Sequence, residues 1–178
     1  MRRSFIAVSL VTSLAVAAPA AASEKFWKTF ADIGAVSIPV AAGVITLAND
    51  DRNGMIQLAE TGAATIIATE ALKYSINETR PNGGDHSFPS GHTAVAFAGA
   101  GYLHARYGWR TGLPFEILAA TVGFARVQSR DHHWYDVVAG AAIGEGSAFL
   151  LTKRLNDSVR VSVSGDTSGG LVSLAARF

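Results

Sequence analysis

Residues 87–106 read Ser87-Phe88-Pro89-Ser90-Gly91-His92-Thr93-Ala94-Val95-Ala96-Phe97-Ala98-Gly99-Ala100-Gly101-Tyr102-Leu103-His104-Ala105-Arg106. The first part is turn and capping chemistry: Ser90 is suited to a helix N-cap, and Gly91 lets backbone approach a ligand closely. From 93 to 106, alanines and paired apolar residues at i, i+3 and i+4 favour helix. The same pattern recurs outward in both directions, at 33–48, 55–74, 113–128 and 136–151. Between these segments lie Asn49-Asp50-Asp51-Arg52-Asn53-Gly54, Pro81-Asn82-Gly83-Gly84-Asp85, and Tyr107-Gly108 with Gly112 and Pro114, all turn formers. The expectation is an all-α fold, a helical bundle of about five to six helices over 23–155. Beyond it, Val159, Val161 and Val163 alternate with Arg160, Ser162 and Ser164, so 156–178 reads as a tail or short C-terminal β-hairpin.

Composition narrows the class. The 178 residues are 49% hydrophobic and 16% charged, against roughly 25% charged in an average soluble domain. That suits one domain with a sizeable core and excludes intrinsic disorder. A net charge of +1 offers no basic field for nucleic acid. The absence of cysteine excludes disulfides, thiolate metal sites and cysteine nucleophiles. Arg2 and Arg3, an apolar stretch at 5–18 and the Ala20-Ala21-Ala22 site read as an export signal over 1–22, with Ser23 the first mature residue. The Arg2-Arg3 pair leaves the general secretory and twin-arginine routes both open, and nothing in the sequence sets an oligomeric state.

A membrane span needs about 20 apolar residues. Segment 33–48 is uncharged for only 16, and Glu60, Glu70, Glu116 and Glu145 interrupt the others. Against that, a soluble bundle shows a polar stripe on each helix, and 93–101 carries no charge while 33–48 offers only Ser37 and Thr46. The balance favours a protein in or on the inner membrane, with a soluble periplasmic protein as the alternative.

Cations and histidines fall into three clusters. Lys73 and Arg80 are seven residues apart, two helical turns, which predicts one shared face ending at Pro81. Two cations at a helix end make a phosphate clamp. Ser90, Gly91 and His92 open a helix whose free N–H groups form an anion site. Arg126, His132 and Asp136 form the third, with His132 and Asp136 predicted at i and i+4 on one helix, the carboxylate taking an imidazole N–H and leaving the other nitrogen nucleophilic.

In this order, Lys-x6-Arg-Pro, Pro-Ser-Gly-His and Arg-x5-His-x3-Asp closely resemble the type 2 phosphatidic acid phosphatase and vanadium haloperoxidase superfamily. The matching positions are Lys73, Arg80, Pro81, Pro89, Ser90, Gly91, His92, Arg126, His132 and Asp136. One departure is that the family's third motif usually opens Ser-Arg where this chain has Ala125-Arg126; Ser129-Arg130 stands in the wrong register. The resemblance implies that His132 attacks phosphorus to form a phosphohistidine, Asp136 orients it, and His92 protonates the leaving oxygen and then activates water. It also implies that Lys73, Arg80 and Arg126, with Ser90 and Gly91, bind the phosphoryl group, so that no metal or other cofactor is needed. His86 and His133 match no family position, His104 is read as structural, and Trp134 and Tyr135 as flanking the nucleophile.

The expected activity is hydrolysis of phosphomonoesters or pyrophosphates, of membrane lipids or of small phosphate esters. The alternatives are a soluble nonspecific acid phosphatase, a haloperoxidase in which the same cations hold vanadate, and a non-catalytic phosphate- or lipid-binding protein.

Overall fold

The computed structural model describes residues 23–155, 159–166 and 169–176, so the expected export signal at 1–22 lies outside the described residues. The described residues form five helices: α1 (Glu24–Ala48), α2 (Arg52–Ser75), α3 (Gly91–Tyr107), α4 (Trp109–Gln128) and α5 (Trp134–Leu151). An antiparallel hairpin follows, β1 (Val159–Asp166) with β2 (Gly169–Ala176), in register from Val159 opposite Ala176 to Asp166 opposite Gly169. The all-α bundle and the hairpin agree with the sequence reading. The boundaries differ most in α1, which begins nine residues before the apolar run, at Glu24 rather than residue 33. Ser23 caps it by accepting from the Phe26 N–H, and Trp27 and Phe30 pack on the core.

Helix α3 is the hub, packing against α1, α2, α4 and α5. Its small residues explain this. Ala94, Ala96, Ala98, Gly99, Ala100 and Gly101 are all buried, so four neighbours can approach its backbone. The tightest approach is that of α5. A Cβ on Gly140 would lie 2.4 Å from the Ser90 carbonyl oxygen, and one on Gly144 would lie 2.3 Å from that of Ala94. The two glycines are four apart, on one face, and small residues at that spacing let helix backbones touch. Asp136 stands one turn before Gly140, and its carbonyl accepts from the Ser90 N–H at 3.0 Å.

The end of the bundle away from His92 and His132 is closed by a buried ion pair. Arg106 donates from Nε and Nη2 to the two oxygens of Asp51, at 2.7 and 2.6 Å. Tyr107 and the Gly54 N–H also donate to Asp51, and Arg106 Nη1 donates to the Lys153 carbonyl. These contacts join the α1–α2 turn to the ends of α3 and α5. The Arg106 hydrogen bonds hold the Asp51 carboxyl down to about 2 against the effect of burial. Its stabilising contribution is therefore complete above the ordinary carboxyl value near ~4 and is lost as pH falls from there through the depressed value.

Two stability outcomes follow. Gly140→Ala should lower stability by about 1–3 kcal/mol, the usual cost of overpacking, because the Ser90 backbone must move. Asp51→Ala leaves Arg106 buried without its partner and should cost about 3–5 kcal/mol. Thermal unfolding of each variant against wild type reads both; an unchanged midpoint in either contradicts the packing described.

Candidate active site

The ends of α2, α3, α4 and α5 meet two loops, 76–90 and 129–133, at one end of the bundle. The sequence-derived candidates converge there, but by a different route than helical spacing predicted. Helix α2 stops at Ser75, where Ile76 turns to extended backbone, so Arg80 lies in the loop and shares no helical face with Lys73. The loop folds back instead: Lys73 Nζ donates to the carbonyls of His86 and Pro89, at 3.1 and 2.9 Å. Arg80 is fixed locally, its Nε donating to the Asp85 carbonyl and its own N–H to the Gly84 carbonyl.

A second correction concerns His132. It precedes α5, whose N-cap is His133, rather than lying on the helix. Its neighbour Asp136 is the third residue of the first turn and still reaches it: Nδ1 of His132 is 3.6 Å from Asp136 Oδ2. That oxygen already accepts from Ser87 Oγ at 2.5 Å and from the His133 N–H at 2.8 Å. Both side chains are buried, His132 at 2% and Asp136 at 0% exposure. Ser90 occupies the N-cap position of α3, but its hydroxyl is hydrogen-bonded to Thr93 Oγ1 at 2.9 Å and makes no cap bond. The helix-end N–H groups are thereby left without a side-chain cap, which is what an anion site needs.

Arg126 ends α4 and is 3% exposed. Its Nη1 contacts Asp131 Oδ2 at 3.1 Å and Asp32 Oδ1 at 3.3 Å, while Nε is buried without a hydrogen-bond partner. The same Asp32 oxygen lies 2.9 Å from His92 Nε2. Asp32 thus bridges the histidine of α3 and the arginine of α4. Arg130 adopts φ +57°; its side chain is 62% exposed, donates to the Pro81 carbonyl at 3.4 Å and lies 3.9 Å from Glu24. It takes no part in the cluster, in keeping with the register assigned to Arg126.

Three polar residues went unassigned in the sequence. Ser87 was visible in the quoted stretch, yet only the fold brings its hydroxyl to Asp136. Asp32 stands immediately before the apolar run at 33–48, but only the fold brings it to His92 and Arg126. Asp131 accepts from Asn82 Nδ2 and Ser129 Oγ, tying the 81–85 turn to the loop before His132. The flanking aromatics are outside: Trp134 is 68% exposed, while Tyr135 donates to Glu78 and stacks on His133 with ring centroids 5.0 Å apart. His104 pairs with Glu116 at 2.5 Å, twelve residues along α3 from His92 and away from this chemistry.

At His132 the burial and the cations outweigh the carboxylate. Burial, then the positive charges of Arg126, Arg80 and Lys73, push the His132 imidazole down to about 3. The ring is neutral at physiological pH, with a lone pair free for a nucleophilic or metal-ligand role. The unfolded chain binds a proton near ~6.5 and the folded one does not, so stability falls as pH drops from that value towards the depressed one. Among the described residues, one set of metal-type ligand atoms converges, from Glu78, His133 and Asp136. Its Asp136 Oδ2 is already engaged by Ser87 and the His133 N–H. Three cations, with Asp32 and Asp131 on one of them, and uncapped helix N–H groups lie about a neutral imidazole, an arrangement with the chemistry to hold an anion.

Residues 54–160 match the sequence model of the PAP2 superfamily. A lipid A 4'-phosphatase of Helicobacter pylori is 31% identical over 129 residues, covering 66% of this chain and 65% of that protein. A lipid A 1-phosphatase of Porphyromonas gingivalis is 41% identical over 78 residues, 42% of this chain and 18% of that protein. A lipid phosphate phosphatase of Arabidopsis thaliana is 40% identical over 76 residues, 34% of this chain and 26% of that protein. This chain therefore spans just under two thirds of the first relative and a smaller part of the other two. In three dimensions it is similar to the crystal structure of Aquifex aeolicus LpxE, with a TM-score of 0.62 and 24% identity over 71% of this chain and 83% of the other.

The expected spectroscopic consequence is that the His132 imidazole nitrogens keep neutral-ring NMR shifts from pH 8 down to pH 5. An inflection near the ordinary histidine value, roughly 6.5, would contradict the buried, cation-flanked environment.

Proposed function

The chain belongs to the PAP2 superfamily, and from that premise we propose that it is a phosphatase hydrolysing phosphomonoesters or pyrophosphates of membrane lipids through a phosphohistidine. The observation that carries this is the buried, neutral His132 ringed by Lys73, Arg80 and Arg126 and backed by Asp136. The names of the relatives support phosphorylated lipid as the substrate class.

In the first step the Nε2 lone pair of His132 attacks phosphorus. The P–N bond forms as the P–O bond to the lipid breaks, and His92 gives its proton to the departing oxygen. The Nδ1–H of His132 is drawn to Asp136, whose own position is held by Ser87 and the His133 N–H. Charge on the phosphoryl oxygens is met by Arg126, Arg80, Lys73 and the N–H groups opening α3 at Gly91, all fixed before reaction. A phosphoryl oxygen reaching Arg126 displaces the Asp32 carboxylate, which keeps its contact with His92 as acceptor. In the second step His92 takes a proton from water, whose oxygen attacks phosphorus, breaks the P–N bond and releases phosphate. The protein's own cations supply the charge neutralisation, so the reaction needs no metal.

We place the protein in the inner membrane with the site facing the periplasm. Ile33, Val36, Val40, Val44 and Leu47 form a stripe along α1 at 58–65% exposure. In water such a contiguous apolar patch is a liability; in lipid it is the normal outer face. Helices α2, α4 and α5 add exposed Ile67, Ile117 and Leu150. Among the described helices α1 alone is long and apolar enough to cross a membrane by itself, with a mean hydropathy of 1.8 over its best window. With 1–22 removed on export, the chain starts outside at the same end as His92 and His132.

His132→Ala should abolish turnover, and His92→Ala should trap phosphorylated His132 when the leaving group is activated. Near-wild-type turnover in His132→Ala would refute the mechanism. EDTA should leave activity intact, and vanadate should compete as a mimic of the five-coordinate phosphoryl group; loss on chelation with recovery on magnesium would refute the metal-free chemistry. Recovery in an osmotic-shock supernatant without detergent would favour a soluble acid phosphatase instead.

A further inference from the structure

An apolar groove of about 330 Å³ runs between α1 and α2 and opens on the reacting end. Its walls include Ala35, Val36, Ile66 and Val95, its head is Gly91 and His92, and the exposed Glu70 stands at its polar end beside Thr69. A second hollow of about 100 Å³, lined by Pro39, Leu58, Gly62 and Gly99, adjoins it and shares Ile66 and Val95 with it. From Gly91 to Gly99 the two span eight residues of α3, about 12 Å at the helical rise. The upper wall also contains Thr69, whose hydroxyl is buried, in a residue 3% exposed, and has no hydrogen-bond partner.

We propose that this groove seats one fatty acyl chain of the lipid phosphate whose phosphoryl group lies against His132, a reading that rests on the phosphatase assignment. The continuity decides the occupant. A phosphate ester engaged by His92 must carry its remaining part away from the cations, and the apolar path leading from that histidine is this groove. Thr69 stands where the polar head gives way to the chain, and its unpartnered hydroxyl suits an ester or amide carbonyl there. The outer rim carries Val36 at 65%, Ile66 at 54% and Ile67 at 69% exposure. A chain therefore enters sideways from the bilayer, without crossing water.

Gly62 supplies the test, because a Cβ placed on it meets nothing within 4 Å. Gly62→Leu fills the lower hollow without displacing backbone. The full-length protein is assayed in mixed micelles on dioleoyl phosphatidic acid and, separately, on soluble para-nitrophenyl phosphate. Gly62→Leu should raise KM for the long-chain lipid about tenfold, the worth of roughly two methylene groups denied apolar burial. Turnover of the soluble ester should stay within about twofold of wild type, since tenfold is already a barrier change of only ~1.4 kcal/mol. Ile66→Trp, on the exposed rim, gives a second block of the same path and should show the same split should Gly62→Leu fold poorly. An unchanged KM for the lipid in both variants overturns the groove while leaving the phosphatase reading intact. Equal losses on both substrates overturn it too, as damage to the site rather than to a chain-binding path. A wild-type protein that hydrolyses neither substrate overturns the phosphatase reading and the groove with it.

Discussion

Everything at the reacting end depends on how closely α5 lies on α3. Gly140 and Gly144 put the α5 backbone against the carbonyls of Ser90 and Ala94, at distances that no side chain survives. This contact fixes the register between the two helices whose first turns carry the chemistry. It places the Asp136 carbonyl on the Ser90 N–H, and so sets His132 and Asp136 beside Ser90, Gly91 and His92. The small-residue composition of α3 extends the same logic to α1, α2 and α4, making one helix the reference for every other.

The second constraint is electrostatic. Bringing Lys73, Arg80 and Arg126 around a buried imidazole is costly in the absence of an anion, and the protein offsets it with its own acceptors. Asp131 and Asp32 meet Arg126, and backbone carbonyls at 86 and 89 meet Lys73. These partners fix the cations in position, which is the preorganisation the proposed phosphoryl transfer requires. Asp136 is managed similarly. Ser87 and the His133 N–H hold its Oδ2, the oxygen 3.6 Å from His132 Nδ1, while Oδ1 is buried without a partner.

The opposite end serves stability. There the Asp51–Arg106 pair, its Tyr107 and Gly54 donors and the Lys153 carbonyl tie the α1–α2 turn to the ends of α3 and α5. Between the two polar ends the outer helices present aliphatic residues to their surroundings, and the groove between α1 and α2 interrupts that surface beside His92. In the membrane placement proposed above, the two polar ends lie in the headgroup layers and the groove faces the lipid laterally.

The helical class, the five segments and most of the site were legible in residues alone, because apolar periodicity and the Lys-Arg, Ser-Gly-His and Arg-His-Asp spacings are local signals. The route by which the site assembles was not. Seven-residue spacing suggested that Lys73 and Arg80 share a helical face, whereas α2 ends at Ser75 and a folded loop brings them together. His132 was expected on α5 and stands just before it, since His133 takes the cap. Ser87 carried no signal for its bond to Asp136, 49 positions away, and Asp32 none for its bridge between His92 and Arg126. Such long-range pairings are invisible to sequence periodicity, which reports only which face of an element is apolar. Which buried polar atom finds which partner is decided when helices approach to within contact, and that distance is set by Gly140, Gly144 and the alanines of α3 acting together.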